Sequence, residues 1–97
     1  MAQYIVLANW TEQGIRSIKD SPGRVDAARQ LCKKHGGEMT AFYMTMGSYD
    51  MVVILEAPSD EAVARFLLAL GASGNVRSTT LKAFSEAEYR QIVQTLG

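Results

Sequence analysis

The chain has 97 residues, a length that suits one domain, and 47% of them are hydrophobic, enough for a packed core. Ten basic residues balance ten acidic ones, so the net charge is zero and no basic patch indicates a nucleic-acid partner. No apolar run could span a membrane, no secretory leader is predicted, and the single cysteine cannot form an internal disulfide. These features predict a cytoplasmic protein without a membrane partner.

Residues 3–10, QYIVLANW, predict the first strand. Alternation places two apolar sets on opposite faces of it: Ile5 and Leu7 on one, and Tyr4, Val6 and Ala8 on the other. A strand that is apolar on both faces must be covered on both sides.

A helical region follows this strand. Thr11 is predicted to cap a short helical turn over residues 12–20. Ser21 and Pro22 then predict the start of a longer helix, with Ser21 as its N-cap and Pro22 at its first helical position. The glycine pair at 36–37 predicts its end.

Residues 38–58 contain two further strand-like runs. The pair Gly47-Ser48 between them predicts a tight two-residue hairpin turn, because glycine accepts a positive φ without steric cost. The second run, residues 51–55, has no polar gap, so it is also apolar on both faces.

The last part of the chain predicts a helix, a strand and a second helix. Ser59 is predicted to cap the first helix, which ends at Gly71 and Gly74, and residues 75–84 form a more polar strand. Ser85 to Glu88 is a capping box for the final helix. Its apolar residues are predicted to face inward: Tyr89, Ile92, Val93 and Leu96.

The predicted order is β-α-β-β-α-β with a C-terminal helix, in one domain spanning residues 1–97. This order is typical of the α+β, ferredoxin-like fold, whose four-stranded antiparallel sheet has the strand order 4-1-3-2. Two main helices cover only one face of such a sheet, and a large exposed apolar face is rare in monomers. We therefore expect a homodimer or higher homo-oligomer in which a second copy covers the other face. The C-terminal helix is a rival cover, or an element that contacts the partner.

Four stretches of the chain resemble GYD domain proteins, named for a Gly-x-Tyr-Asp motif: residues 4–11, 47–50, 52–58, and 74–77 followed by Thr80-Leu81. The resemblance spans nearly the whole chain and implies a dimeric α/β-barrel, in which two ferredoxin-like sheets face each other. That superfamily includes small monooxygenases, isomerases and haem-degrading enzymes as well as ligand-sensing regulatory domains. The resemblance therefore implies a fold and a dimer more than an activity.

The predicted topology gathers polar and aromatic residues at one end of the sheet, where strand 1 ends beside the starts of strands 3 and 4. The ligand-binding candidates there are Asn9, Trp10, Tyr49, Asp50 and Arg77, close to Asn75. Asp50 and Tyr49 are the best catalytic candidates, as a base and a hydrogen-bonding group, and Arg77 suits an anionic substrate group.

Structural roles compete with each of these assignments. Gly47 can serve only the turn, and Asp50 can form an ion pair with Arg77 or accept backbone N–H groups beside the hairpin. Tyr49 and Trp10 can be rim residues of the core or interface. Adjacent residues of a regular strand point to opposite faces, which counts against Tyr49 and Asp50 serving one pocket.

The other chemically active residues favour structural roles. His35 suits a helix C-terminus, and Cys32 lies on a buried stripe. Glu56 is either solvated or paired with Lys82 or Arg65. No spacing indicates a metal site or a cofactor motif. The methionines at 39, 44, 46 and 51 fill gaps in a core or line a hydrophobic cavity.

Three functions remain open from the sequence. The favoured one is a small-molecule-binding or regulatory dimer without catalysis, because the lone histidine is placed away from the polar end. The alternatives are a cofactor-independent monooxygenase or isomerase that acts on a small hydrophobic compound, and a structural assembly module.

Overall fold

The computed structural model describes all 97 residues. Its strands and main helices run in the order β1 (Ala2–Trp10), α1 (Glu12–Arg16), α2 (Ser21–Lys34), β2 (Glu38–Met44), β3 (Met51–Ala57), α3 (Asp60–Ala72), β4 (Val76–Ala83) and α4 (Glu86–Gln94), with a 3-10 turn at Ile18–Asp20. The four strands form one antiparallel sheet in the order β2-β3-β1-β4. This confirms the predicted α+β, ferredoxin-like arrangement with β1 and β3 in the centre. No helix combines the length and apolar content that a membrane span requires.

The core lies between one face of the sheet and helices α2 and α3. Alternation along β1 buries Tyr4, Val6 and Ala8 on this face, as predicted. Tyr4 and Val6 belong to one cluster with Leu55 of β3, Cys32 of α2, and Val63 and Phe66 of α3. The apolar stripes of the two helices therefore define the covered face of the sheet.

The opposite face, here called the open face, is apolar at its centre and has no helix on it. In the register, Ile5 lies beside Ile54 and Leu81, and Leu7 lies beside Val52. Ile5, Leu7, Val52 and Ile54 are only partly buried, and Leu81 is exposed. Covering them would stabilise the protein by roughly 1.5–3 kcal/mol for each side chain that becomes fully buried.

The hairpin between β2 and β3 is longer than the sequence predicted. Residues 45–50 connect the strands, closed by a hydrogen bond from the Thr45 N–H to the Asp50 carbonyl (2.8 Å), so a two-residue turn at Gly47-Ser48 is wrong. The Asp50 N–H instead bonds the Ala8 carbonyl (3.0 Å). This contact connects the end of the loop to β1. Gly47 still requires glycine, because its φ is +139°.

Two helix boundaries also differ from the prediction. Asp20, not Ser21, is the N-cap of α2, and its φ of −86° and ψ of −8° are already helical. The preceding 3-10 turn leads directly into α2, so the first turn needs no side-chain cap. Helix α3 continues through Gly71 to Ala72, and the chain turns at Gly74, which has a φ of +84°.

Helix α4 lies outside the core. Its capping box is present, because the Ser85 hydroxyl accepts from the Glu88 N–H (3.1 Å) and the Glu88 carboxylate accepts from the Ser85 N–H (2.9 Å). The predicted inward stripe is wrong, since it faces solvent: Tyr89, Ile92, Val93 and Leu96. Helical spacing determines which residues share a face, but not whether another element lies against that face. Helix α4 makes hardly any contact with the other elements.

One buried tyrosine connects β1 to α3. The Tyr4 hydroxyl donates to the Asp60 carboxylate, and the Lys82 ammonium of β4 lies 3.7 Å from the same carboxylate oxygen. The hydrogen bond to Asp60 and burial raise the pKa of Tyr4 to about 12. The same hydrogen bond, together with Lys82, lowers the pKa of Asp60.

Replacing Tyr4 by phenylalanine is expected to lower the free energy of unfolding by about 2–3 kcal/mol, the contribution of a hydrogen bond to a charged group. The unfolded tyrosine releases its proton near pH 10 and the folded one near pH 12, so this stabilisation is complete below pH 10 and is lost as the pH rises to 12. Urea denaturation of wild type and Tyr4→Phe across this range measures it. Tyr89→Phe, on exposed α4, is the matched control. An unchanged difference between wild type and Tyr4→Phe from pH 9 to 12 would contradict the assignment.

Candidate functional site

A cavity of about 240 Å³ lies between the covered face of the sheet and helices α2 and α3. Hydrophobic residues make up 15 of the 19 that line it. The sheet contributes larger side chains such as Val53 and Phe42. The helices contribute several alanines: Ala27, Ala28 and Ala69. These short side chains leave the gap between the helices and the sheet unfilled: Ala28 is partly buried, whereas Ala27 and Ala69 are exposed to solvent.

The methionines around the hairpin divide between two environments. Met39 and Met51 line the cavity, whereas Met44 and Met46 are exposed. Lining a hydrophobic cavity, one of the two predicted roles, therefore applies to only part of the cluster. The thioethers that line the cavity adapt readily to the shape of an apolar guest.

The four polar lining residues are Ser21, Arg24, Ser73 and Asn75, and they gather around α1. The Arg24 guanidinium donates to the Gly14 carbonyl (2.9 Å) and to the carbonyl (3.1 Å) and hydroxyl (2.9 Å) of Ser17. The Gln13 amide donates to the Ser73 carbonyl (3.1 Å) and to the Asn75 side-chain oxygen (3.1 Å). The cavity thus has a polar end, next to α1, and an apolar remainder.

Glycine is required where α1 meets this polar end. A Cβ atom at Gly14 would lie 2.1 Å from the Asn75 carbonyl oxygen, far inside van der Waals contact. The hydroxyl of Thr11 caps α1 as predicted, because it accepts from the Gly14 N–H (3.1 Å). The same hydroxyl donates to the Gly74 carbonyl (2.6 Å). Helix α1 is therefore fixed against the loop before β4.

The structure brings together three of the five predicted site residues: Asn9, Trp10 and Asp50. The backbone N–H of Trp10 donates to the Asp50 carboxylate (3.0 Å), and the backbone N–H of Asp50 donates to the Asn9 side-chain oxygen (2.9 Å). This agrees with the alternative in which Asp50 accepts a backbone N–H beside the hairpin. The predicted ion pair with Arg77 is not among the four in the structure.

The remaining predicted residues do not share one pocket with these. Tyr49 lies in the hairpin loop with its side chain 37% exposed, and Arg77 is exposed on β4, opposite Asn9 in the register. Of the five, only Trp10 lines the cavity. Asn9 and Arg77 belong to the open face and Trp10 to the covered one, so the polar end of the sheet is split between its two sides.

Arg24 is the cavity residue that the sequence reasoning missed. A signal for it exists, because residues 24, 28 and 31 follow helical spacing and Arg24 therefore shares the stripe of Ala28 and Leu31. A positive charge in line with apolar residues indicates either a surface boundary or a charged group at the edge of a cavity. Only the packing of α1 distinguishes the two.

The other chemically active residues lie away from the cavity. Cys32 is buried in the core, as predicted, and burial raises the pKa of its thiol. His35 is the C-cap of α2. Glu56 pairs with neither Lys82, which contacts Asp60, nor Arg65. No three His, Cys, Asp or Glu side chains come close enough to hold a metal ion.

Comparison with known proteins identifies the family. The family model described as GYD domain matches residues 4–93, nearly the entire chain. The chain belongs to the GYD domain family. This GYD chain is also similar to a protein of Thermus thermophilus named glutamine synthetase and cystathionine beta-lyase binding protein. The two are 34% identical over 89 residues, which cover 91% of this chain and 94% of the relative. No solved structure matches the chain.

The motif that names the GYD family has a visible structural role here. Gly47 supplies the positive φ, the Tyr49 carbonyl accepts from the Thr45 hydroxyl (2.6 Å), and Asp50 connects the loop to the end of β1. Through the Trp10 N–H, the motif supports the backbone of a residue that lines the cavity.

Proposed function

We propose that the chain is a homodimeric regulatory binding protein that takes a small, mainly apolar molecule into the cavity beneath α2 and α3. The observation that supports this most directly is the composition of the cavity wall, 15 hydrophobic residues of 19. The wall offers no carboxylate, imidazole or thiol to move a proton. Such a wall favours ligand binding over acid–base catalysis, and therefore favours a binding protein over the enzyme alternative. The proposed place of action is the cytoplasm.

The relative from Thermus thermophilus is named for binding two metabolic enzymes. We extend this role to the present chain, so that an enzyme is its proposed protein partner. Occupancy of the cavity would then be the signal that the partner senses, because α2 and α3 form both the cavity roof and an outer surface.

The proposed dimer uses the open face. Its apolar centre is bordered by polar residues at both ends, and the two ends carry opposite charges. At one end Glu56 lies next to Gln3 and Glu38, and at the other end Arg77 lies next to Asn9. A twofold axis that reverses the strand direction would bring Glu56 of each copy towards Arg77 of the other. An apolar centre with a charged rim is the common anatomy of protein interfaces.

In this proposal Trp10 contacts the ligand, and Asn9 and Asp50 are positioning residues that hold the end of β1. Tyr49 and Arg77 belong to the rim outside the cavity. The arrangement gives Asp50 no route to a bound molecule except through Trp10. This supports a binding protein rather than an enzyme that uses Asp50 as a base.

Filling the cavity tests the proposal. Ala28→Phe, in the middle of α2, is expected to weaken binding of a neutral apolar probe, hexan-1-ol, at least about tenfold, since a phenyl ring takes up much of the available volume. The measurement is a two-dimensional NMR titration of the full chain. Ala64→Phe, on the exposed side of α3 and absent from the cavity wall, is the matched control. Equal binding of the probe to wild type and to Ala28→Phe would refute the proposed cavity function.

A further inference from the structure

The polar end of the cavity contains a positive charge without a carboxylate partner. Arg24 is the only charged residue in the wall, and it takes part in none of the four ion pairs. Its three hydrogen bonds go to neutral oxygens of Gly14 and Ser17. The acidic residue two positions on, Asp26, lies near Arg29 instead, at 3.7 Å. The charge of Arg24 is therefore held in place but not neutralised.

The bonds of Arg24 also fix its orientation. Two guanidinium nitrogens are occupied by α1 and the Ser17 turn, which leaves the Nε–H without a protein acceptor. An arginine with a spare donor at the edge of an apolar cavity is suited to an anionic oxygen, since a charge-assisted hydrogen bond is about twice as strong as a neutral one. Asn75 and Ser73 add neutral polar groups at the same end.

We propose that the ligand is a small amphiphilic monoanion, with a carboxylate or similar head at Arg24 and an apolar body lying against Met39, Met51 and Phe66. This inference rests on the proposed function, because it names the chemical class of the molecule in the same cavity. The volume sets the size: a water molecule takes up about 30 Å³ in the liquid, so a cavity of about 240 Å³ has the volume of on the order of eight waters and suits only a small molecule. Hexanoate has this size and charge.

The test compares two probes of nearly equal length on the full chain at neutral pH and fixed salt. Hexanoate is expected to bind wild type about tenfold or more tightly than hexan-1-ol, because only hexanoate gains the charge-assisted bond. Arg24→Gln keeps hydrogen-bond donors but removes the charge, so it should abolish most of this preference for hexanoate over hexan-1-ol. Arg24→Lys should restore part of the preference, and Arg65→Gln, exposed on α3, should leave it intact.

The outcomes separate this inference from the function on which it rests. If neither probe binds wild type, the cavity function fails and the ligand class fails with it. If both bind wild type with equal affinity, the anionic class is wrong. If Arg24→Gln retains the full preference for hexanoate, the anionic head does not lie at Arg24. In either case the cavity function stands. Thermal unfolding shows whether each variant is folded, and the wild-type comparison decides the question without any variant.

Discussion

Replacing Leu7 by lysine is expected to convert the proposed dimer into monomers. Leu7 lies in the central rows of the open face, beside Val52 and Thr79. In a twofold interface the substitution would place two ammonium groups in the apolar centre, and an unpaired buried charge is strongly unfavourable. The dimer dissociation constant should rise at least about a hundredfold, equivalent to about 2.7 kcal/mol. Sedimentation velocity at micromolar concentrations measures the change.

The same substitution on the other side of the molecule provides the control. Leu68 of α3 is 75% exposed and faces away from the sheet, so Leu68→Lys should leave association unchanged. Arg77→Glu would test the charged rim of the proposed interface, because it would bring two acidic side chains together at each end of the twofold dimer. A monomeric wild type would refute the dimer, and a Leu7→Lys variant that remains dimeric would assign association to another surface.

Replacing Asp50 by alanine is expected to lower the free energy of unfolding by about 2–3 kcal/mol, the range for a lost hydrogen bond to a charged group. The change removes the acceptor of the Trp10 N–H and so loosens the loop from β1. Asp50→Asn keeps an oxygen acceptor and should cost less than about 1 kcal/mol. Urea denaturation at one fixed protein concentration compares the variants, since association also contributes to apparent stability.

Asp26→Ala is the matched control for Asp50, because Asp26 is exposed and its one ion pair is with Arg29. Its effect should stay within about 0.5 kcal/mol. If Asp50→Ala is as stable as wild type, the role of Asp50 in holding the loop is wrong. If Asp50→Asn is stable but loses binding of hexan-1-ol, Asp50 contacts the ligand itself rather than acting through Trp10.

The sequence predicted the sheet well because strand alternation is a local signal. The position of Tyr4 and Val6 on one face, and of Ile5 and Leu7 on the other, follows from spacing alone. Strand order followed from the chain order of elements and from the polar character of the edges. These features need no knowledge of how the helices pack.

The features that the sequence did not predict depend on contacts between distant segments. The hairpin loop is longer than Gly47-Ser48 implied, and its last residue, Asp50, bonds to Ala8 of β1, a contact that no local pattern reveals. The cavity is a volume left between layers, which composition cannot locate. The pleat of the strands divides the predicted polar cluster between the two faces of the sheet, so that Trp10 lines the cavity while Arg77 lies on the opposite side.

The exposure of the C-terminal helix has a consequence for its stability in the monomer and in an oligomer. A helix of nine residues is too short to persist in water by its own backbone bonds, since isolated helices below about 12–15 residues are marginal. Because α4 makes hardly any contact with the rest of its chain, we expect it to fray in the monomer, and covering of Ile92 and Val93 by a second copy would stabilise it. If so, the helical order of α4 would report whether the protein is associated.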